Sequence, residues 1–512
     1  MEGGLDERSV VKPRGGGVVF LRSRSGLRKS VPIVFLLSAV LLSLALSEPA
    51  SAVPSYARQT GQPCGTCHTD FPALTPYGRR FKLLGYTTGG GPYRTTPFSR
   101  PSVDVGREYD DLAAYAKGID NSALPADKGW VPPISAMAIL GFTHTQAPLS
   151  PPTNPYQPND NIVLSPFSFF WGGAVTEHIG AFAQVTYNAP PVGGFADQFG
   201  HTWTWDNTDI RFADVRNIGG VEVIYGITAN NNPTVQDVWN TTPAWTFPYV
   251  VSTIAPTPGS HTLIEGAFAA HVASAGAYTY INNMFYLEAS AYRTLDFNTQ
   301  NALGVDPFAA LGLFDGVAPY WRIAFEPHWN NHWLMLGTFG ISAKVHPWVD
   351  TASTSSATLP LADSFTDFGY DAQYQYQGDR FWLTLRGSYI REFQERNASF
   401  TNGAAANPND TLNSLRLQGS LALGGDNRIV LTGQHFGIWG TPDAGLYASG
   451  SPNSNGWIAE IAYIPFGASF APGWPWANVR VGLQYTWYDK FNGTSVGAHD
   501  NDTLFLHAWM AF

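Results

Sequence analysis

The only two cysteines of this 512-residue chain lie three positions apart and are followed directly by a histidine. Cys64, Cys67 and His68 form the C-x-x-C-H pattern that attaches a c-type haem. Two thiols at this spacing can each form a thioether with a vinyl group on one edge of a porphyrin, and the adjacent imidazole can bind the iron. The motif therefore predicts one covalent haem c, with His68 as the proximal ligand of the iron.

The cysteine pair has three other interpretations: a structural disulfide, a redox C-x-x-C motif and half of a zinc site. A zinc site calls for further Cys or His residues nearby, and a thioredoxin-like motif calls for a surrounding βαβ pattern. The sequence around residues 64–68 has neither feature. Haem attachment is therefore the interpretation that we favour.

The motif does not define the ligand on the other side of the iron. No Met or His occurs between His68 and Pro133. Met137 is the first candidate. It lies on a strand predicted at 134–146, near the end that we expect to be periplasmic, and its thioether would raise the reduction potential. His144 is the alternative ligand, and the remaining alternative is a sixth position without a protein ligand.

The first fifty residues have the features of an export signal. Basic residues between 22 and 29 precede an apolar run from Val31 to Leu46, which is followed by Ala50, Ser51 and Ala52. This order is typical of a secretory signal peptide, here residues 1–52. A membrane anchor is the alternative, but the run is short for a membrane-spanning helix.

The composition excludes several classes of protein. Charged residues make up only 13% of the chain and aromatic residues 14%, and no apolar run after residue 50 approaches the ~20 residues of a membrane helix. The net charge of −10 argues against nucleic acid as a partner. The chain is therefore neither a helical membrane protein nor a typical cytosolic enzyme.

From residue 133 onward, segments of about ten residues alternate apolar and polar side chains, which indicates strands with one apolar face. Asp371, Arg386, Arg416 and Arg480 lie on the polar faces, and the last residues alternate up to a terminal Phe512, as in the closing strands of outer-membrane barrels. The prediction is an all-β fold, a transmembrane antiparallel β-barrel over residues 133–512 in the bacterial outer membrane. Sixteen strands are predicted, at 134–146, 162–173, 179–188, 207–216, 221–228, 262–272, 277–291, 318–326, 332–344, 366–377, 380–391, 412–423, 427–436, 456–464, 477–489 and 501–512.

The remaining segments are interpreted by their position relative to the barrel. Residues 53–91 form a small α-helical cytochrome module with a predicted helix near 76–84, too short to bury a haem alone. We therefore expect the module in or under the barrel lumen, where the barrel can shield the haem. Residues 92–132, with a predicted helix at 105–117, are a linker or plug, and long external loops are expected at 229–261, 292–317, 345–365 and 392–411.

The residues beside the haem motif resemble a known family. Residues 57–61 before the motif, and residues 71–74 and 85–86 after it, are similar to those of the fused outer-membrane cytochrome-porins, whose best-known members oxidise iron(II). The resemblance implies electron transfer from extracellular Fe²⁺ or another reductant to a periplasmic c-type cytochrome or other carrier; as an enzyme, this would be an iron(II):cytochrome c oxidoreductase. The insert at 92–132 and the stretch 230–237 depart from the family pattern.

Three other functions remain open at this stage. The same protein could export electrons to an external acceptor, because direction depends on the haem potential. It could instead be a diffusion porin whose cytochrome acts as a plug or sensor. A haem enzyme such as a peroxidase would need an open sixth position and a distal acid–base residue, for which the sequence has no specific signal.

Overall fold

The computed structural model of the protein describes residues 54–60, 63–87, 133–149, 157–187, 199–242, 246–266, 268–349, 356–424, 427–467 and 476–512. These residues all belong to one compact unit, residues 49–512. The predicted signal peptide at 1–52, the linker at 92–132 and its helix at 105–117 lie outside the described residues.

Sixteen long strands pair with their neighbours in chain order, and the first pairs with the last, which closes an antiparallel barrel. The predicted all-β antiparallel barrel and its number of strands are thereby confirmed. Two further segments, Gly312–Phe314 and His328–Trp329, are short and pair with the ninth strand. The sixteen strands are β1 (Ile134–Thr145), β2 (Asn161–Ala174), β3 (Ile179–Tyr187), β4 (Trp203–Ile218), β5 (Val221–Asn230), β6 (Val272–Ile281), β7 (Phe285–Thr294), β8 (Ala318–Phe325), β9 (His332–Pro347), β10 (Asp363–Gln377), β11 (Phe381–Glu395), β12 (Asn409–Leu423), β13 (Ile429–Gly440), β14 (Ser454–Tyr463), β15 (Asn478–Lys490) and β16 (Thr503–Ala511).

The helices are short, and none of those described is part of the barrel wall. The haem-motif region contains α1 (Pro54–Thr60), α2 (Cys64–Cys67) and α3 (Pro76–Leu83), the last of which confirms the helix predicted near 76–84. The loops contain α4 (Phe297–Ala302), α5 (Asn397–Thr401) and 3-10 turns at Leu263–Glu265, Pro307–Ala309 and Ala498–Asn501. Among the described residues, none of the helices has the length and apolar character needed to cross a membrane.

Side chains alternate between the two faces of the barrel wall. The inward positions carry charged residues that are nevertheless buried, because other parts of the chain fill the lumen; they are Asp209, Arg211, Arg322, Asp371, Arg386, Glu392, Glu460 and Arg480. The outward positions carry large apolar residues that are 41–58% exposed; they include Ile162, Leu164, Ile210, Ile227, Leu287, Ile323, Leu336, Leu385, Leu417, Leu431, Ile461 and Leu483. The barrel is thus apolar outside and polar inside.

Two segments occupy the lumen. The first, called the lumenal segment here, comprises the described residues 54–60 and 63–87. The second, called the inner loop, comprises the described parts of 231–271 and connects β5 to β6. The sequence predicted an external loop at 229–261, and this prediction is wrong in one respect: the loop folds inward, as shown by its bonds to inward-facing residues such as Arg386 and Gln484.

One predicted strand is also wrong. Residues 262–272 do not form a strand but the 3-10 turn Leu263–Glu265 with a capping box between Thr262 and Glu265. The predicted strand at 277–291 is instead two strands, β6 and β7. They are joined by the three residues 282–284, since Ile281 pairs with Phe285. Asn282 and Asn283 both have positive φ, 53° and 51°, as the two central residues of a type I′ turn do.

Candidate functional site

The haem motif adopts a single helical turn, α2, inside the lumen. Residues three apart in a helix lie on one face, so the turn presents both thiols on the same side. Both thiols are half-buried, and Nδ2 of Asn478 lies 3.6 Å from Sγ of Cys64. Gly78 of α3 is needed here because a Cβ at this position would overlap the carbonyl oxygen of Cys67.

His68 directly follows this turn and is oriented by the backbone. Its Nδ1 lies 3.0 Å from the carbonyl oxygen of Pro72, so Nδ1 acts as the donor and Nε2 is the nitrogen available to a metal. Burial lowers the pKa of His68 to about 4, and the hydrogen bond to the Pro72 carbonyl offsets only part of this shift. The imidazole is therefore neutral near pH 7, which is the form that binds iron.

Cys64, Cys67 and His68 line a common cavity of about 430 Å³. This volume falls within the roughly 300–1,000 Å³ of ligand-binding cavities. Most of the lining is apolar or aromatic, and it comes from the lumenal segment, the barrel wall and the inner loop; the wall and loop contribute Ile139, Phe170, Phe182, Trp509, Pro248, Tyr249 and Val250. A flat apolar cofactor attached to the two thiols would be enclosed by all three.

The structure separates the two candidate distal ligands. Met137 lies on an inward position of β1, is partly buried and lines the same cavity as His68. His144 lies on the opposite face of β1, where its Nδ1 is 2.7 Å from Asp160 and 45% of its side chain is exposed. Met137 is therefore brought together with the haem motif, and His144 is not.

The lumenal segment is attached to the barrel wall by charged residues of α3. Arg79 forms a buried ion pair with Glu326, and Arg80 pairs with Glu222, whose second carboxylate oxygen lies 2.9 Å away. Lys82 donates to backbone oxygens of the inner loop, including that of Asp237 at 3.2 Å. These pairs hold α3 in a fixed place beside the cavity, because a buried charge that lost its partner would be strongly unfavourable.

The inner loop closes the cavity from the opposite side. Its Asn240 accepts a hydrogen bond from the backbone of Leu74 at 3.1 Å, and Arg386 of β11 donates to the Trp239 carbonyl and the Tyr249 hydroxyl, both at 3.1 Å. The sequence analysis missed this loop as part of the site. Its length was a usable signal, since loops longer than about 15 residues without secondary structure of their own are uncommon and are usually functional or linker segments.

Three observations show that a haem would fit this site. Two thiols lie on one face of α2, a neutral imidazole is hydrogen-bonded to a carbonyl through Nδ1, and the thiols and the imidazole line the same apolar cavity. Cys64 and Cys67 would carry the thioethers and His68 would bind the iron, and Met137 lies on the wall of the same cavity. A haem bound here would supply one-electron redox chemistry.

No protein-family model matches the chain, and neither does any curated protein sequence. Solved structures with some similarity include OprB of Pseudomonas putida, 13% identical with a TM-score of 0.42 over 74% of this chain and 93% of that one. Others are the outer-membrane channel DcaP of Acinetobacter baumannii, 10% identical with a TM-score of 0.41 over 74% and 96%, and OmpT of Vibrio cholerae, 8% identical with a TM-score of 0.38 over 74% and 96%. Identities and TM-scores this low do not assign the fold, which is assigned here from the pairing of the strands.

Proposed function

We propose that this chain is an outer-membrane electron-transfer protein that uses one haem c, attached to Cys64 and Cys67 and bound by His68. In the proposed reaction, extracellular Fe²⁺ loses one electron and becomes Fe³⁺, and a periplasmic electron carrier gains that electron. The observation that carries the proposal is the position of the C-x-x-C-H motif on a mostly apolar cavity inside the barrel.

The outer surface of the barrel supports a membrane location. Exposed large apolar residues cover its outward face, and such a surface is unfavourable in water. Aromatic residues are concentrated near both ends of the strands, as in barrels that cross a bilayer. At the end with short turns these include Phe285, Phe325, Trp329, Phe381 and Tyr463; at the end with long loops they include Trp203, Phe393, Trp439 and Trp457.

The filled lumen supports transfer of electrons rather than of solutes. The lumenal segment and the inner loop bond to inward residues on different sides of the barrel, for example Glu326 of the turn after β8 and Gln484 of β15. A redox group enclosed between them would be shielded from bulk solvent. Iron would then not need to enter the cell, and the ferric product would form outside.

A second candidate is a diffusion porin in which the cytochrome is a plug or sensor. The strand number favours it, because barrels of 16 strands are wide enough for an aqueous channel. Electron export by the same protein is a variant of the first proposal, and the reduction potential distinguishes the two directions. The presence of Met137 on the cavity wall disfavours a haem enzyme that needs an open sixth position.

The two candidates are tested in proteoliposomes that contain the purified haem-loaded protein and trapped cytochrome c. When Fe²⁺ is added outside, we expect reduction of the trapped cytochrome. When the vesicles are suspended in a solution of a small sugar, we expect no swelling, because the sugar does not enter. Swelling that is independent of Fe²⁺, with no reduction inside, would instead support the porin. Protein-free vesicles measure direct leakage of Fe²⁺.

Replacement of Met137 tests the distal ligand. Met137→Leu is expected to lower the midpoint potential and to remove the weak red absorption band of thioether-bound ferric haem, because the leucine has a similar volume but cannot bind iron. The potential and the absorption spectrum of the full-length protein are the measurements. His144→Gln is the matched control on the same strand and should change neither the potential nor the band. Absence of the band from the wild-type protein, or its persistence in the leucine variant, would show that Met137 does not bind the iron.

A further inference from the structure

We propose that Arg480 of β15 is the positioning residue for the proximal ligand, and that its charge, balanced by Glu460, sets the reduction potential of the site. This inference rests on the proposed function, since it concerns the haem attached to Cys64 and Cys67. Arg480 lies in a different part of the chain from the haem motif, so the motif alone gives no sign of it.

Arg480 reaches the proximal histidine through two consecutive carbonyl groups. Its Nη1 donates to the carbonyl oxygen of Phe71 at 3.1 Å. The carbonyl oxygen of the next residue, Pro72, accepts from Nδ1 of His68. The Phe71 ring also packs edge-on against the His68 ring, with 5.2 Å between centroids. The guanidinium therefore fixes the short backbone segment that orients the imidazole, a role that partners of ligating histidines commonly have.

The same guanidinium connects the three parts of the structure that enclose the cavity. It pairs with Glu460 of β14 at 2.6 Å, lies 3.8 Å from Asp70 of the lumenal segment, and covers the ring of Tyr249 in the inner loop at 5.5 Å. It is only 2% exposed. A buried cation with these contacts is held in one geometry, because moving it would leave the buried carboxylate of Glu460 without its counter-charge.

The charges around Arg480 define how the potential should respond. A fixed positive charge near the iron disfavours the ferric state and raises the potential, and a negative charge has the opposite effect, more strongly in a medium of low polarity. Glu460 offsets Arg480 and is itself bound by Nε2 atoms of Gln484 at 3.0 Å and His507 at 3.2 Å. Asp70 is the second carboxylate that faces the guanidinium.

A charge cycle on the haem-loaded, full-length protein tests the inference. Arg480→Gln is expected to shift the midpoint potential downward, because Glu460 and Asp70 lose their counter-charge. Glu460→Gln is expected to shift it upward. The double variant restores the charge balance and should shift the potential by less than either single change. A merely structural role for Arg480 would not produce shifts of opposite sign.

Two further variants keep the test decisive. Arg480→Lys retains the charge and is the informative variant if Arg480→Gln does not fold; the potential should stay near the wild-type value. Arg216→Gln is the control, because Arg216 of β4 also pairs with a carboxylate of the wall, that of Asp214 at 2.9 Å, but its side chain is 67% exposed, so solvent screens its charge and the potential should stay unchanged.

The outcomes for this inference and for the proposed function are distinct. If the wild-type protein contains no covalent haem, the proposed function fails. If it contains haem, and the Arg480→Gln and Glu460→Gln variants keep both the haem and the wild-type potential, or shift the potential in the same direction, the role assigned to Arg480 is wrong.

Discussion

Replacement of both Cys64 and Cys67 by serine is expected to give a protein without covalent haem and without electron transfer from Fe²⁺ to a trapped acceptor. The chain has no other cysteine, so no thiol remains to form a thioether. Both side chains line the cavity, and serine differs little in size, so the barrel itself should be retained. The expected loss of electron transfer is complete, because no other redox group is proposed.

The measurement is haem content after denaturation in acid organic solvent, which removes haem that is not covalently bound, together with the proteoliposome assay. Single substitutions are the graded controls: each leaves one thioether, and each should keep part of the haem. Covalent haem in the double variant would contradict the attachment site. Electron transfer at the wild-type rate by a double variant without haem would contradict the proposed function itself.

Replacement of His68 separates attachment from iron binding. Since the thioethers depend on the cysteines and not on the imidazole, a His68→Ala protein that matures should retain covalent haem and show an altered spectrum and potential.

The sequence predicted the elements whose signals are local. The C-x-x-C-H motif, the helix near 76–84 and the alternating strands all depend on spacing within a few residues. The terminal alternation to Phe512 predicted a closing strand, and β16 does pair with β1, where Met137 lies opposite Ala511. Met137 was predicted near the beginning of the first strand, and β1 does contain it there; its inward position was found from the structure.

The sequence-based predictions failed where contacts between residues far apart in the chain determine the structure. Residues 262–272 have a strand-like pattern, but Leu263 and Ile264 donate backbone hydrogen bonds to Glu392 and Asp367 of the wall. Those carboxylates are more than 100 residues away, so no local pattern could show that they would fix a turn instead of a strand. The Asn282–Asn283 turn, in contrast, was a local signal that the analysis did not use.

The charged lumen shows a similar limit. Alternation places Arg386, Arg480 and Asp371 on the inward face, as predicted, but it cannot show which charges meet. Arg480 pairs with Glu460, twenty residues away on the adjacent strand, and also contacts the lumenal segment over 400 residues away. The proximal environment of the haem motif is therefore set by closure of the barrel and could be found only from the structure.

Asp237 makes several of the contacts that hold the inner loop in place. The side chain of Asp237 accepts hydrogen bonds from the backbone N–H groups of Trp239 at 2.9 Å and of Thr241 and Thr242, both at 3.0 Å. It also lies 3.5 Å from Arg322 of β8. Burial alone raises the pKa of Asp237, but Arg322 and these donors bring it below its ordinary value. The carboxyl group is therefore ionised at neutral pH.

The lowered pKa of Asp237 makes the stability of the folded protein depend on pH. Because the pKa of Asp237 is lower in the folded protein than in the unfolded chain, its stabilising contribution is fully present above the unfolded value of about 4 and is lost as the pH falls through the lower folded value. Near neutral pH, the inner loop should thus stay docked in the lumen at full strength.

Asp237→Ala is accordingly expected to release the inner loop and destabilise the protein by about 3–5 kcal/mol, because Arg322 loses a buried partner and three backbone donors lose their acceptor. Release of the loop should also open the lumen, which predicts ion conductance in planar bilayers where the wild-type protein has little. Thermal unfolding in detergent and single-channel recording are the measurements. Asp500→Ala, in an exposed external loop, is the control and should change neither. A released loop without conductance would show that the lumenal segment alone blocks the barrel, and an unchanged unfolding temperature would show that Asp237 does not hold the loop.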